Sequence, residues 1–163
     1  MILWLNGPFG VGKSTVAAEL VDRWPGARVV DPERIGYVVQ RTFWRGQDYQ
    51  DVDLWRRLTV RAVARAHRRG PVIVPMAVLD PDVYTQITVG ATVVTLVASR
   101  STLIERIVAS GEAVTWRRNQ LDRGLAALAG GRMGTVIGTD GLSASRIAEE
   151  VLSIVEATER GDV

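Results

Sequence analysis

At 163 residues the chain has room for one sizeable core and is short for two ordinary domains, so it reads as a single domain over 1–163. Hydrophobic residues at 47% and charged residues at 23% give a globular balance, and the absence of cysteine excludes disulfides, thiolate catalysis and cysteine-based metal sites. A single histidine, His67, cannot build a histidine metal centre, a net charge of +2 gives no argument for a nucleic-acid partner, and no run approaches the roughly 18 apolar residues of a membrane span.

The chain opens on Met1-Ile2-Leu3-Trp4-Leu5, which is apolar, has no basic lead and reaches a glycine loop at once. That pattern predicts a buried first strand, Ile2–Asn6, rather than a secretory leader, and a cytoplasmic protein. Gly7-Pro8-Phe9-Gly10-Val11-Gly12-Lys13-Ser14 then matches G-x-x-x-x-G-K-[ST] at every specified position. Gly7, Gly10 and Gly12 let main-chain N–H groups, that of Val11 among them, turn inward around phosphate oxygens. The following helix start adds unpaired donors and partial positive charge. Lys13 is placed for the β- and γ-phosphates, Ser14 for Mg²⁺ and Thr15 for the α-phosphate.

A helix is expected from Lys13 to Trp24, with Val16, Ala17, Leu20, Val21 and Trp24 on one stripe, stopped by Pro25-Gly26. The second strand, Ala27–Asp31, ends in a carboxylate just before Pro32, which starts the next helix. In an open parallel sheet, ligands gather beyond the carboxyl ends of strands. Asp31 there reads in three ways: a base for an attacking hydroxyl, a holder of water on Mg²⁺, or a plain helix cap. The segment Trp44-Arg45-Gly46-Gln47-Asp48-Tyr49-Gln50, with Trp55 beyond, gathers aromatic and polar groups of the kind that line a small-molecule cleft. Trp55 reads equally as core. Arg34, Asp48, Tyr49, Trp55 and Met76 join Asp31 as the expected acceptor-side set.

The next helix, Asp51 to Arg69, turns Val52, Trp55, Leu58, Ala62 and Ala66 inward. It carries Arg56, Arg57, Arg61, Arg65, Arg68 and Arg69 outward, as a solvated face rather than a nucleic-acid patch. The third strand, Val72–Met76, closes on Pro75-Met76 and so lacks the carboxylate with which many P-loop proteins hold magnesium. A fourth strand, Ala91–Ala98, precedes a helix bearing Arg106. After a break at Gly111-Glu112 come Arg117, Arg118 and Arg123, a segment suited to a lid closing over phosphates. Arg106 and Arg123 are the candidates for stabilising the moving charge. Strand Thr135–Gly138 and helix Ser143–Thr158 end the series, with Ser143 as cap and Ile147, Val151, Ile154 and Val155 inward. Alternating strands and helices of this kind predict an α/β fold with a parallel sheet covered on both faces.

The chain resembles the tunicamycin-resistance protein family along nearly its full length. The residues that carry the likeness are Trp4 to Lys13, Asp31-Pro32-Glu33 with Gly36, Asp48-Tyr49-Gln50 with Leu54-Trp55-Arg56, and Ile73-Val74-Pro75-Met76. Gln120-Leu121-Asp122-Arg123 and Thr139-Asp140-Gly141-Leu142-Ser143 complete it. That family looks like a relative of chloramphenicol phosphotransferase and of shikimate, gluconate and nucleotide kinases. The resemblance implies a P-loop kinase fold with five parallel strands in the order 2-3-1-4-5. It also implies Asp31 as base, and Asp140 to Leu142 with Arg117 at the nucleobase. As reaction it implies transfer of the γ-phosphate of ATP or GTP, with Mg²⁺, to a small-molecule hydroxyl such as that of a nucleoside antibiotic. Two other readings stand beside it: a metabolite or nucleotide kinase, and a nucleotide-gated protein that sequesters an antibiotic. Monomer and homodimer are both open.

Overall fold

Residues 1–43, 48–111, 121–122, 124–126 and 133–161 are described by the computed structural model. The elements run β1 (Ile2–Asn6), α1 (Lys13–Arg23), β2 (Arg28–Val29), α2 (Pro32–Phe43) and a 3-10 turn (Tyr49–Asp51). They continue with α3 (Asp53–His67), β3 (Val72–Pro75), α4 (Pro81–Ile87), β4 (Thr92–Val97), α5 (Arg100–Ala109), β5 (Thr135–Gly138) and α6 (Ala144–Arg160). The strands form one parallel sheet in the expected order, β2-β3-β1-β4-β5. Leu5 is paired with Pro75 on one side and Val94 on the other, so the strand feeding the glycine loop lies at the centre.

Strand alternation sorts the apolar residues into two layers. Leu3, Leu5, Ile73, Val94, Leu96 and Ile137 face α1, α5 and α6. Trp4, Val72, Val74 and Val93 face α2, α3 and α4. Helices therefore cover both faces, which is why the strands read as nearly continuous apolar runs.

Several boundaries differ from expectation for local reasons. Only Arg28 and Val29 form the second strand, although Val30 still donates its N–H to Ile73 O at 3.0 Å. Val21 is 37% exposed rather than inward, because α1 packs through Val16, Ala17 and Leu20. The expected helix from Asp51 starts at Asp53. The turn before it is held separately by the Asp48 carboxylate, which accepts the Gln50 N–H at 3.0 Å. In α3 the deepest residues are Trp55, Thr59 and Val63, with Val52, Leu58 and Ala66 only partly covered. Helix α4 was not expected, yet its start carries a full cap: Asp80 accepts from the N–H groups of Asp82 and Val83, and Pro81 opens the first turn. Ser143 caps α6 as expected, accepting the Arg146 N–H at 3.2 Å, while Ile147, Val151 and Val155 are buried and Ile154 partly so. Among the described residues no helix is long and apolar enough to cross a membrane.

Candidate functional site

The glycine loop leaves β1 at its carboxyl end and delivers the chain to α1 through Gly12, whose φ of 99° only glycine adopts freely. Gly7 is required by close approach as well as by its φ of 136°. A Cβ there would stand 2.4 Å from the Leu96 carbonyl oxygen of β4. Lys13 arches back over the loop, its Nζ donating to Gly7 O at 2.9 Å and Pro8 O at 3.0 Å, with the Phe9 ring centroid 5.7 Å away. An ammonium held above a run of main-chain amides at a helix start is a built anion cradle.

That cradle forms part of a cavity of about 490 Å³. Gly10, Val11, Gly12, Lys13, Ser14 and Thr15 line it, as does Asp31 from the end of the second strand. Asp31 also caps α2, one carboxylate oxygen accepting the Glu33 N–H at 2.9 Å. The capping reading is thus realised without removing the side chain from the cavity wall. Ser14, Asp31 and Glu33 offer oxygen to the same space, whereas no group of three or more histidine, aspartate or glutamate residues able to hold a metal occurs among the described residues. Such a sparse oxygen set fits Mg²⁺, which keeps several waters and takes substrate phosphate oxygens rather than a protein cage.

Arg106 was expected, on the helix after β4, to stabilise the moving charge. It instead braces the frame: its Nη1 donates to Val11 O at 3.1 Å and to Thr139 Oγ1 at 3.0 Å, and its Nη2 to Thr139 O at 2.9 Å. It therefore joins the glycine loop to the turn after β5 while also lining the cavity. Asp140, expected at a nucleobase, has its carboxylate engaged elsewhere. It accepts from Ser99 N–H at 2.9 Å, Ser99 Oγ at 2.8 Å and Thr102 Oγ1 at 2.6 Å at the start of α5. The hydrogen bonds from Thr102 and Ser99 hold its carboxyl below the usual aspartate range.

The acceptor-side expectations divide. Trp55 and Met76 are core residues, both fully buried, and offer no side-chain surface to a ligand. Trp55 Nε1 donates to Pro32 O at 2.9 Å, and the Met76 carbonyl accepts from Trp4 Nε1 at 3.1 Å. Tyr49 lies flat on Gly36 of α2 and packs on Trp55 with ring centroids 5.3 Å apart. Burial first, and then the negative charge of Glu33, push its hydroxyl well above the ordinary tyrosine value. Asp48 and Arg34 are exposed. Trp44 to Gln47, Arg117, Arg118 and Arg123 lie outside the described residues.

Sequence reasoning missed several groups that the fold brings to the cavity: Phe9, Glu33, Ile107, Ser110, Ala144 and Ile147. Phe9 and Glu33 carried a signal, since they neighbour Lys13 and Asp31 in sequence. The other four arrive from α5 and α6 through packing alone. The segment after β3 is also fixed by side chains from elsewhere. Asn6, fully buried, accepts the Val78 N–H at 2.9 Å and donates to Val78 O at 3.1 Å, while Gln50 Nε2 donates to Ala77 O at 3.2 Å.

Comparison with known proteins agrees with this architecture. Residues 2–130 match the AAA domain family. Among solved structures, the chain is similar to the tunicamycin resistance protein of Deinococcus radiodurans, with 30% identity, 94% of each chain covered and a TM-score of 0.75. It is also similar in fold to a gluconokinase from Sinorhizobium meliloti 1021, with 19% identity over 93% of this chain and 89% of that one at a TM-score of 0.68. A third likeness is to the shikimate kinase of Acinetobacter baumannii, with 14% identity over 96% and 93% of the two chains at a TM-score of 0.64. No curated protein matches in sequence.

Proposed function

Because this chain belongs to the tunicamycin-resistance family and carries the AAA domain over residues 2–130, we propose that it moves the terminal phosphoryl group of ATP or GTP to a hydroxyl of a small molecule, in the first place a nucleoside antibiotic of the tunicamycin type. The observation that carries the reading is one cavity lined by both Lys13 of the anion cradle and Asp31. The loop amides hold the β- and γ-phosphates, and Lys13 exchanges carbonyl contacts for phosphate oxygens as charge develops on them. Asp31 accepts the proton of the acceptor hydroxyl. The new bond forms between that oxygen and the γ-phosphorus, the bond to the β,γ-bridging oxygen breaks, and the nucleoside diphosphate leaves. Mg²⁺, held by Ser14 and the phosphates with Asp31 or Glu33 toward its waters, would supply Lewis-acid stabilisation of the phosphoryl oxygens. Arg106 keeps the loop in register with the turn after β5. The lid arginines Arg117 and Arg123 are assigned, on the family pattern, to the nucleotide and to the moving charge.

The test is transfer of label from γ-labelled ATP or GTP to tunicamycin, read for wild type, Lys13→Ala and Asp31→Asn. Lys13→Ala is expected to cost about 3–4 kcal/mol of transition-state stabilisation, a loss of roughly 10²–10³-fold. Asp31→Asn is expected to abolish transfer while nucleotide affinity is kept. Resistance that survives Asp31→Asn and fails with Lys13→Ala would instead identify a nucleotide-gated sequestering protein.

A further inference from the structure

Phe9 is the one aromatic side chain among the described residues that lines the cavity, and it stands within the glycine loop itself. The backbone on both sides of it is fixed. Pro8 O accepts the Val11 N–H at 3.4 Å, and Gly10 lies so close to α5 that a Cβ there would stand 2.8 Å from Ile107 Cγ1 and 3.0 Å from Leu103 O. The residue is only partly covered. Lys13 Nζ stands over its ring, 5.7 Å from the centroid, within the range at which a ring face attracts an ammonium. The two carbonyls that Nζ binds, Gly7 O and Pro8 O, belong to the residues just before Phe9. Carbonyls and ring are thus carried on one short stretch of fixed backbone, and the ammonium sits against both.

We propose that Phe9 is a positioning residue for Lys13: its ring face keeps the ammonium at the loop while the carbonyl contacts are exchanged for phosphate oxygens. The statement rests on the phosphotransfer reading and deepens it by naming what steers the cation of the cradle. A carbonyl holds an ammonium through one particular hydrogen, so each change of partner frees the group to turn. A ring attracts the charge itself and makes no demand on which hydrogen points where. The attraction also strengthens as water leaves, which happens when a triphosphate fills the cavity. Only the difference between the open and the loaded site counts toward function, and for a ring of this kind it corresponds to about five- to tenfold.

The experiment uses the full chain with mono-, di- and trifluorinated phenylalanine introduced at position 9, which drain negative charge from the ring face and leave its size nearly unchanged. Transfer of label from γ-labelled ATP or GTP to tunicamycin gives kcat/KM for the nucleotide. Calorimetric titration with a non-hydrolysable ATP analogue gives a dissociation constant free of turnover. Successive fluorines are expected to lower the first and raise the second in steps, by about five- to tenfold over the series. Phe9→Leu, apolar but without a ring face, should fall at the far end of the series, and Phe9→Tyr, which keeps the face, should recover most of the loss. In a Lys13→Ala background fluorination should change the dissociation constant by no more than about twofold, because the ring then has no ammonium to hold. A series without trend in either quantity, or a trend of the same size in Lys13→Ala, overturns the assignment of Phe9 and leaves phosphotransfer standing. Nucleotide binding by wild type without transfer to tunicamycin, gluconate or shikimate sinks the phosphotransfer reading, and the calorimetric series alone then decides Phe9. No nucleotide binding by wild type overturns both.

Discussion

Substituting Gly36 by alanine puts a methyl group where the Tyr49 ring now lies. The added Cβ would stand 2.6 Å from Tyr49 Cδ2 and Cγ and 2.8 Å from Cδ1. These are atoms at the base of the ring, so a rotation at the side-chain tip does not relieve the overlap; the ring has to move bodily. It also packs on Trp55, 5.3 Å between centroids, and its turn is pinned by the Asp48 cap. Overpacking of this kind costs about 1–3 kcal/mol. Against it stands the gain from replacing glycine by alanine inside a helix, about 1 kcal/mol. The clash outweighs the gain by up to about 2 kcal/mol, a fall in Tm of up to about 8 °C for a chain of this size. Thermal melts of Gly36→Ala, and of the same change in a Tyr49→Ala background, test the balance. Without the ring the sign should reverse, and alanine should stabilise by up to about 1 kcal/mol. A Gly36→Ala protein more stable than wild type, or a change of the same sign and size in both backgrounds, refutes the argument.

Two further outcomes are expected. Asn6→Ala strips both partners from the buried Val78 backbone and should destabilise by about 1–3 kcal/mol for each group left unsatisfied, read as a drop in urea midpoint at constant m-value. Asp140, whose carboxyl is lowered in the folded state, contributes stability that is complete above the ordinary aspartate pKa of about 3.9 and fades as pH falls through its lowered value. Urea melts of wild type and Asp140→Asn should therefore differ by a constant amount above about pH 5 and converge on acidification; a gap that widens toward low pH contradicts the assignment.

The strand–loop–helix at the N-terminus was legible because each step has a local cause: apolar β1, glycines that free the backbone, and an amphipathic α1. Ile2–Asn6 and Thr135–Gly138 coincide with their expected limits. Asp31 was legible as well, since its place before Pro32 marks a strand end and a helix start together. What escaped depends on which element covers which. Val21 falls on the expected stripe of α1, but the layer of β-strands and α6 closes over the neighbouring face. Met76 follows a strand end, where ligands gather, but its side chain is buried in the second layer with Trp4, Val74 and Val83. Arg106 had the right chemistry for a phosphate, and only the fold reveals that Val11 and Thr139 claim its donors. At α4 the signal lies in the Asp80-Pro81 cap alone, because seven residues are too few to show a helical stripe.

Met76, Ala77 and Val78 present three successive carbonyls, each taken by a different donor: Trp4, Gln50 and Asn6. Two of those donors belong to the strand that feeds the glycine loop, and the third to the turn that carries Tyr49. The tripeptide is thus a crossbar between β1 and the turn before α3. Remodelling that turn without keeping Gln50 would slacken a bar that β1 also grips, so a change there is felt at the base of the glycine loop too.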